Sequence, residues 1–241
     1  MLKLLCSGLC DLVYPPHCFI CKKHLGIRSS NEILCLHCQD TIVGNIPPFC
    51  PKCSRHLRNP HLPRCPDCTK TDAFFDFAWA ACPYQTPLSD LICRFKYNQK
   101  TYLRKPLAQL MIDFLETYRL DIRQFHEIVP IPLFPSRLRE RGYNQSLLLA
   151  EEIGRKYKIR LSRSTLARVR ETEHQTLLSE KERWTNICGA FKIKDPAKFS
   201  GKNILIIDDL LTTGATASEA AHTLKDAGAK TVGILTLAIT E

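Results

Sequence analysis

The sequence predicts an α/β domain with a mostly parallel sheet, preceded by a small, cysteine-rich N-terminal unit. Ten of the 13 cysteines lie in the first 68 residues. Apolar periodicity is weak there, so this part cannot build a sufficient core without a cross-link or a metal. From residue 73 onward, β-branched apolar runs alternate with amphipathic stretches, as strands alternate with helices in α/β domains. A chain of 241 residues has room for both units.

The composition excludes several classes of protein. With 44% hydrophobic and 24% charged residues, the chain is not a disordered tail. The odd cysteine count, the close cysteine pairs and the lack of a secretion signal argue against a disulfide-linked secreted protein. No run approaches the roughly 18 apolar residues that cross a bilayer, so we expect no membrane span and a reducing, cytoplasmic location. Residues 1–17 are expected to form an amphipathic helix that ends at Pro15 and Pro16.

Local patterns divide the chain into residues 1–17, a cysteine-rich unit over residues 18–72 and an α/β domain over residues 73–241. In the α/β domain we expect strands at 75–84, 127–132, 161–169, 190–193, 203–207 and 231–239, and helices at 88–97, 102–118, 146–158 and 216–227. Residues 171–186 read as a polar, irregular segment. Cysteines outside the Cys-x-x-Cys pairs, including Cys82, Cys93 and Cys188, are expected to pack as small buried side chains.

Four Cys-x-x-Cys pairs occupy the cysteine-rich unit: Cys18/Cys21, Cys35/Cys38, Cys50/Cys53 and Cys65/Cys68. Each pair places two thiolates on one tight turn, which is half of a tetrahedral zinc site. We therefore expect two structural Zn²⁺ sites of four cysteines each, with no open position for chemistry. The gaps of 13, 11 and 11 residues between pairs favour sequential pairing because the loops are shorter. Crossed pairing, first with third and second with fourth, is the alternative that spacing leaves open.

Residues 204–216, ILIIDDLLTTGAT, predict a strand, a loop and a helix that bind an anion. Four apolar residues suit a strand buried on both faces, Asp208 and Asp209 follow its carboxyl end, and Thr212–Thr216 open a helix. Ligands of open α/β sheets bind at that end of the strands. The loop offers backbone N–H groups, hydroxyls and a helix N-terminus to a phosphomonoester. Because the two aspartates would repel phosphate, they suit a vicinal diol or its Mg²⁺ instead.

The formal net charge of +10 is concentrated in residues 135–170, which hold ten basic and three acidic side chains. Such a zone favours an anionic partner, either nucleic acid, phosphate or diphosphate; a solvated helix face is the alternative. Ser136, Arg137 and Arg141 follow a predicted strand and are the candidates to bind a diphosphate group. Arg183, in the polar segment over 166–191, is a further candidate; a surface helix with charge pairs such as Glu180/Arg183 is the alternative for this segment.

Residues 204–216 resemble the 5-phosphoribosyl-1-pyrophosphate (PRPP) motif of type I phosphoribosyltransferases at all thirteen positions. The resemblance implies the type I phosphoribosyltransferase-like fold, with Asp208 and Asp209 on the ribose hydroxyls. It also implies that the 5′-phosphate is wrapped by Thr212, Thr213, Gly214, Ala215 and Thr216. Such enzymes use Mg²⁺ and displace diphosphate from C1 of PRPP with a nitrogen nucleophile. Residues 166–191 match the position of the loop that closes over PRPP in these transferases.

The cysteine pairs, the segment PIPLFPSRLRERGYNQ, the segment over 166–191 and the PRPP motif together resemble the bacterial ComF family. These competence-associated proteins carry a phosphoribosyltransferase-like domain. The resemblance extends from Leu12 to Ala238. It implies a role in natural transformation on the cytoplasmic side, where incoming single-stranded DNA is handled with a ComFA-like helicase and DNA-processing proteins.

Two functions therefore remain open from the sequence. One is a competence protein that binds PRPP or a related phosphoribosyl ligand and acts with single-stranded DNA. The alternative is an active phosphoribosyltransferase of nucleotide metabolism with an unidentified nitrogen acceptor. A purine-pathway amidotransferase is a weaker interpretation, because the chain has neither an N-terminal cysteine nucleophile nor room for a glutaminase half.

Overall fold

A computed structural model describes residues 17–25, 33–97, 100–172 and 180–240 of the chain. The helix expected over residues 1–17 lies outside these ranges except for His17, which forms a β-bridge with His24. Cys6 and Cys10 also lie outside them. In the described ranges, no helix combines the length and the apolar character needed to span a membrane.

The described residues form a five-stranded sheet in which every neighbouring pair of strands is parallel. The strands are β1 (Phe77–Pro83), β2 (Glu127–Pro130), β3 (Arg160–Leu161), β4 (Leu166–Arg168), β5 (Phe191–Ile193), β6 (Asn203–Leu211) and β7 (Thr231–Ile239). Strands β4 and β5 form a separate antiparallel pair. The order in the large sheet is β1-β7-β6-β2-β3. β6 therefore lies in the middle of the sheet.

The helices are α1 (Leu36–Asp40), α2 (Pro66–Lys70), α3 (Leu88–Tyr97), α4 (Arg104–Thr117), α5 (Pro135–Arg141), α6 (Gln145–Tyr157), α7 (Glu180–Ile187) and α8 (Ala215–Asp226). Pro135 opens α5, where its missing N–H has no helical partner to lose. Asn144 caps α6 by accepting from the backbone N–H groups of Ser146 and Leu147. The start of α5 and the N-cap of α6 are thereby fixed, and the first turn of α6 faces the sheet.

Two apolar cores lie on opposite faces of the sheet because successive side chains of a strand alternate. In β6, Leu205 and Ile207 join the core formed with α3, α4 and α6. Ile204 and Ile206 join the core formed with α8. The result is a helix–sheet–helix sandwich, with the carboxyl ends of the parallel strands at one edge.

Most predicted elements of the α/β domain are present with small changes of bounds. The helix at Leu88–Tyr97 and the strand at Thr231–Ile239 have the predicted bounds. The strand predicted over 161–169 is instead two short strands, β3 and β4, in different sheets. Residues 180–186 of the segment predicted to be irregular instead belong to α7, which packs through Ile187 into the core beside α8. Cys82 is buried as expected, but Cys93 and Cys188 are exposed, so the packing role predicted for those two is wrong.

Candidate functional site

Asp208 and Asp209 lie within β6. The prediction that they follow the carboxyl end of this strand is therefore wrong. The strand continues to Leu211 because it stays paired with β7, where Thr236 lies opposite Asp208. The side chain of Asp208 is held from two directions. Ser146 Oγ, in the first turn of α6, donates to Asp208 Oδ1 at 2.9 Å, and the Asp209 backbone N–H donates to the same oxygen at 2.9 Å.

The two aspartates are in different electrostatic states. Burial, and after it the adjacent Asp209 carboxylate, raise the pKa of Asp208 from 3.8 to about 7, against the opposing effects of Lys96 and Ser146. Lys96 Nζ, in the last turn of α3, lies 2.7 Å from Asp209 Oδ2. Burial alone would lower the pKa of Lys96, but Asp209 and Asp208 raise it. Asp209 is therefore neutralised by an ion pair, and Asp208 exchanges its proton near neutral pH.

The loop between β6 and α8 turns sharply at Gly214. Its φ of 81° lies in the left-handed region, which glycine adopts without strain. This turn lets α8 begin at Ala215, whose backbone N–H lies 3.4 Å from Thr213 Oγ1. The first turn of the 12-residue helix α8 thus offers N–H groups and the positive end of its dipole to this loop. The arrangement suits a phosphate group.

A cavity of about 210 Å³ lies at this edge of the sheet, between the aspartates, α5, α6 and the loop. Among the described residues, its lining includes five cationic side chains, two acidic side chains and four serine or threonine hydroxyls. They are Lys96, Arg137, Arg141, Arg168, Arg183, Asp208, Asp209, Ser146, Thr172, Thr212 and Thr216. Cations in excess of carboxylates, with hydroxyls between them, suit a small ligand that carries several negative charges and also offers hydroxyl groups.

The structure brings most of the candidates together. Arg137, Arg141 and Arg183 line the cavity with both aspartates, Thr212 and Thr216, while Thr213 and Gly214 line a smaller adjoining cleft. Ala215 is buried as the first residue of α8. Ser136 is placed differently: its Oγ donates to the carboxylate of Glu171 and not into the cavity lining.

Sequence reasoning missed Lys96, Tyr97 and Ser146 as site residues. Lys96 and Tyr97 end α3, and the chain order of elements does not reveal that this helix end reaches β6. Tyr97 stacks under the Arg141 guanidinium at 4.9 Å and receives a hydrogen bond from it. Arg168 lies in the polar segment over 166–191 but was not among the predicted site residues. Its burial, and next the charge of Arg137, lower the pKa of Arg168 to about 10, which indicates how crowded the cations are.

The basic zone over residues 135–170 is divided by the fold. Three of its ten cations line the cavity: Arg137, Arg141 and Arg168. Four others form ion pairs with carboxylates: Arg155 with Glu152, Lys156 with Glu116, Arg160 with Glu127 and Arg163 with Glu151. Arg170 donates to the carbonyls of Asn186 and Cys188. The zone is therefore not a single open basic surface.

The eight cysteines of the N-terminal unit form two clusters with sequential pairing. The first contains Cys18, Cys21, Cys35 and Cys38, and the second contains Cys50, Cys53, Cys65 and Cys68. Within each cluster the sulfur atoms all lie within 4.8 Å of one another. The Cys21–Cys35 and Cys53–Cys65 separations are 3.7 and 3.5 Å, against about 3.8 Å for the edge of a zinc–thiolate tetrahedron. The donor sets and spacings fit Zn²⁺, and crossed pairing is excluded.

Two protein families match the chain. The double zinc ribbon domain matches residues 9–69 and the phosphoribosyl transferase domain matches residues 144–239. The second match contains β6, the loop and α8, and it agrees with the parallel sheet described above.

Similar proteins cover nearly the whole chain. Competence protein F of Haemophilus influenzae is 30% identical over 226 residues, which is 92% of this chain and 96% of that protein. DNA utilization protein YhgH of Escherichia coli is 29% identical with the same coverage. Competence protein ComFC of Streptococcus pneumoniae is 29% identical over 88% of this chain and 90% of its own length. The chain, a phosphoribosyltransferase-type domain joined to two zinc-ribbon-like cysteine clusters, belongs to the competence protein F (ComF) family.

Proposed function

We propose that the cavity at the carboxyl end of β6 binds PRPP as its Mg²⁺ complex. The observation that carries this proposal is that one cavity is lined by Asp208 and Asp209, by the loop hydroxyls of Thr212 and Thr216, and by four arginines. A phosphorylated sugar diphosphate has hydroxyls between two anionic groups. The cavity lining likewise combines two carboxylates with cationic and hydroxyl side chains that can bind anions.

Each part of the ligand has a matching part of the cavity. The loop and the first turn of α8 would bind the 5′-phosphate through N–H groups and threonine hydroxyls. The carboxylates of Asp208 and Asp209 would accept hydrogen bonds from the ribose hydroxyls. Arg137, Arg141, Arg168 and Arg183 would face the diphosphate. Mg²⁺, which prefers phosphate oxygens with few protein ligands, would offset the charge of the diphosphate when bound.

Isothermal titration with PRPP in the presence of Mg²⁺ tests the proposal. The wild type should bind, and the double variant Asp208→Asn/Asp209→Asn should lose most of the affinity. Both substitutions keep the shape of the side chain, so a loss of affinity reports the loss of negative charge and of hydrogen-bond acceptance. Equal affinity of wild type and double variant would reject the proposal.

The alternative, an active phosphoribosyltransferase, makes a different prediction from the same site. Diphosphate should then leave C1 of PRPP when a nitrogen acceptor is supplied, at a rate that the double variant abolishes. Release of diphosphate is measured with ammonia and with free nucleobases as acceptors. Binding of PRPP without acceptor-dependent release would favour a binding role over a transferase.

We further propose that the protein acts in natural transformation with single-stranded DNA, in the cytoplasm and with a ComFA-like helicase and DNA-processing proteins. The names of its relatives, which refer to competence and to DNA utilization, support this proposal. Affinity for labelled oligothymidylate should fall with salt, with a log–log slope of about −0.7 for each phosphate contacted. A flat response would contradict DNA binding.

The two cysteine clusters are proposed to hold one structural Zn²⁺ each. Eight thiolates gathered into two tetrahedra without metal would repel one another on ionisation, and metal binding supplies folding free energy in such small units. Metal analysis of purified protein should give two zinc ions for each chain. One ion or none would contradict the assignment.

A further inference from the structure

The two cysteine clusters pack into different cores. In the first cluster, Cys18 and Cys38 join the core that contains α3 and α4. In the second cluster, the three buried cysteines join the core that contains Leu211 and Ala215, on either side of the phosphate loop. Among the described residues, the second cluster therefore shares a core with both ends of the proposed 5′-phosphate loop, whereas the first cluster joins the core on the other face of the sheet.

Arg55, which lies between the cysteine pairs of the second cluster, connects that cluster with the loop. Its guanidinium forms an ion pair with Asp67, between Cys65 and Cys68. Arg55 Nη2 donates to the carbonyl of Thr212 at 2.6 Å. Arg55 Nε donates to the carbonyl of Thr240, just after β7, at 3.0 Å. Its side chain is only 15% exposed, so this charged group bridges three segments under partial burial.

A second set of contacts runs from the same unit to the same loop. Lys52 Nζ, between Cys50 and Cys53, donates to the carbonyl of Phe75 at 2.5 Å and lies 5.4 Å from the centre of its ring. The Phe75 ring packs beneath Gly214, with its Cε1 atom 3.6 Å from where a Cβ of Gly214 would lie. The loop is thus supported at Thr212 by a hydrogen bond and at Gly214 by a buried aromatic ring.

We infer that the second cysteine cluster positions the phosphate loop through Arg55, so that metal bound at this cluster and phosphate bound at the loop stabilise each other. The inference rests on the proposed function only in naming phosphate as the ligand. Arg55 is a positioning residue because it bonds the Thr212 carbonyl and leaves the N–H groups of the loop for the ligand. A loop held in place before binding loses less conformational freedom on binding. Linkage requires the effect to be reciprocal.

The experiment compares Arg55→Met with Arg64→Met in full-length zinc-loaded protein. Arg64 lies in the same Cys53–Cys65 segment, but it is 46% exposed and its ion pair is with Asp72, 3.7 Å away. Two quantities are measured: amide hydrogen exchange of residues 208–216 without ligand, and the affinity for ribose 5-phosphate by titration. Exchange of α6 serves as the reference for global stability, and zinc content is determined for each variant.

Arg55→Met should accelerate exchange of residues 208–216 relative to α6 and weaken ribose 5-phosphate binding by about 2- to 30-fold. Arg64→Met should match wild type in both. Unchanged loop exchange in a folded Arg55→Met protein with two zinc ions would overturn the inference. If Arg55→Met does not fold, Arg55→Lys is measured in the same way, because lysine keeps the charge but lacks the planar fork; wild-type loop exchange in Arg55→Lys would equally overturn the inference.

The metal arm tests the coupling itself. Cys68→Ser, in the second cluster, should accelerate loop exchange, whereas Cys21→Ser, in the first cluster, should leave it close to wild type. Equal effects of the two variants on loop exchange would overturn the inference that the second cluster, and not the first, positions the loop. If wild type takes up no ribose 5-phosphate, the proposed function fails, while the exchange measurements still decide whether Arg55 positions the loop.

Discussion

Lys96 Nζ lies 2.7 Å from Asp209 Oδ2, which joins the end of α3 to the centre of the sheet. The side chains are 19% and 10% exposed, so each charge depends on the other to be tolerated in the interior. A largely buried pair contributes little as a pair, but removal of one partner leaves an uncompensated charge. The same pair sets the charge of the proposed ribose site, because Lys96 also faces Asp208.

Replacement of Lys96 should therefore destabilise the protein. We expect Lys96→Met to lower the free energy of unfolding by about 3 kcal/mol at pH 7, because the Asp209 carboxylate then lacks its cation. Urea denaturation followed by circular dichroism measures the change. Lys192→Met, at an exposed position of β5, is the matched control and should change stability by less than about 0.5 kcal/mol. Equal stability of the two variants would show that the ion pair has no structural role.

Replacement of Asp208 should instead stabilise the protein above neutral pH. Its pKa is about 7 in the folded protein, against 3.8 in the absence of burial and of Asp209. The folded state therefore holds the proton more tightly than the unfolded state, and stability is lost as pH rises from about 4 to about 7. Asp208→Asn, which cannot ionise, should be more stable than wild type at pH 8, by at least about 1 kcal/mol, and similar to it at pH 4. Denaturation curves at both pH values test this; a pH-independent difference would contradict it.

The same ionisation should control ligand binding. If the ionised form of Asp208 accepts the ribose hydroxyls, affinity follows the fraction of protein in that form. Between pH 8 and pH 6 the affinity for PRPP with Mg²⁺ should fall by about tenfold through this group. Titration of wild type and Asp208→Asn at both pH values separates its effect from protonation of PRPP itself. Parallel pH dependence in the two proteins would remove Asp208 from the explanation.

Two arginines on α5 differ in their position relative to the cavity. Arg137 lines the cavity, whereas Arg139, two residues later on the same helix, is exposed and absent from the lining. Arg137→Met should weaken PRPP binding by about tenfold, a loss of about 1.4 kcal/mol, because a charge-assisted contact to diphosphate is removed. Arg139→Met should bind as wild type does at 0.15 M salt. Equal losses would indicate long-range attraction and not a local contact.

The sequence predicted the parts of the site that are contiguous in the chain. Residues 204–216 contain the strand, both aspartates and the loop, so their order alone indicates a phosphate site. The exact end of β6 was not predictable, because pairing with β7 carries the strand past polar residues whose composition signals a turn. The prediction therefore placed Asp208 after the strand, although Asp208 belongs to it.

Contacts between distant segments were beyond sequence reasoning. Lys96 meets Asp209 only because α3 ends at the edge where β6 delivers its aspartates, and nothing in the residues around Lys96 encodes that meeting. Spacing likewise left two pairings of the cysteines open, since loops of 11 to 13 residues permit both. The backbone path decided between them: Cys35 and Cys65 each donate their N–H to a sulfur of the preceding pair, Cys18 and Cys50.

Gly214 offers a test of the loop that does not alter any charge. Its φ of 81° is unfavourable for every residue with a Cβ, and a Cβ there would lie 3.6 Å from the Phe75 ring, which is ordinary contact. Gly214→Ala should therefore cost about 1 kcal/mol of stability through backbone strain alone. We expect the loop to shift and so relieve part of this strain, which should lower ribose 5-phosphate affinity by about tenfold or more, because small displacements disturb a preorganised site. Gly201→Ala is the control, because Gly201 also has a left-handed φ, of 70°, with nothing within 4 Å of its Cβ position. It should lose similar stability and keep its affinity; loss of affinity in both variants would trace the effect to global stability and not to the loop.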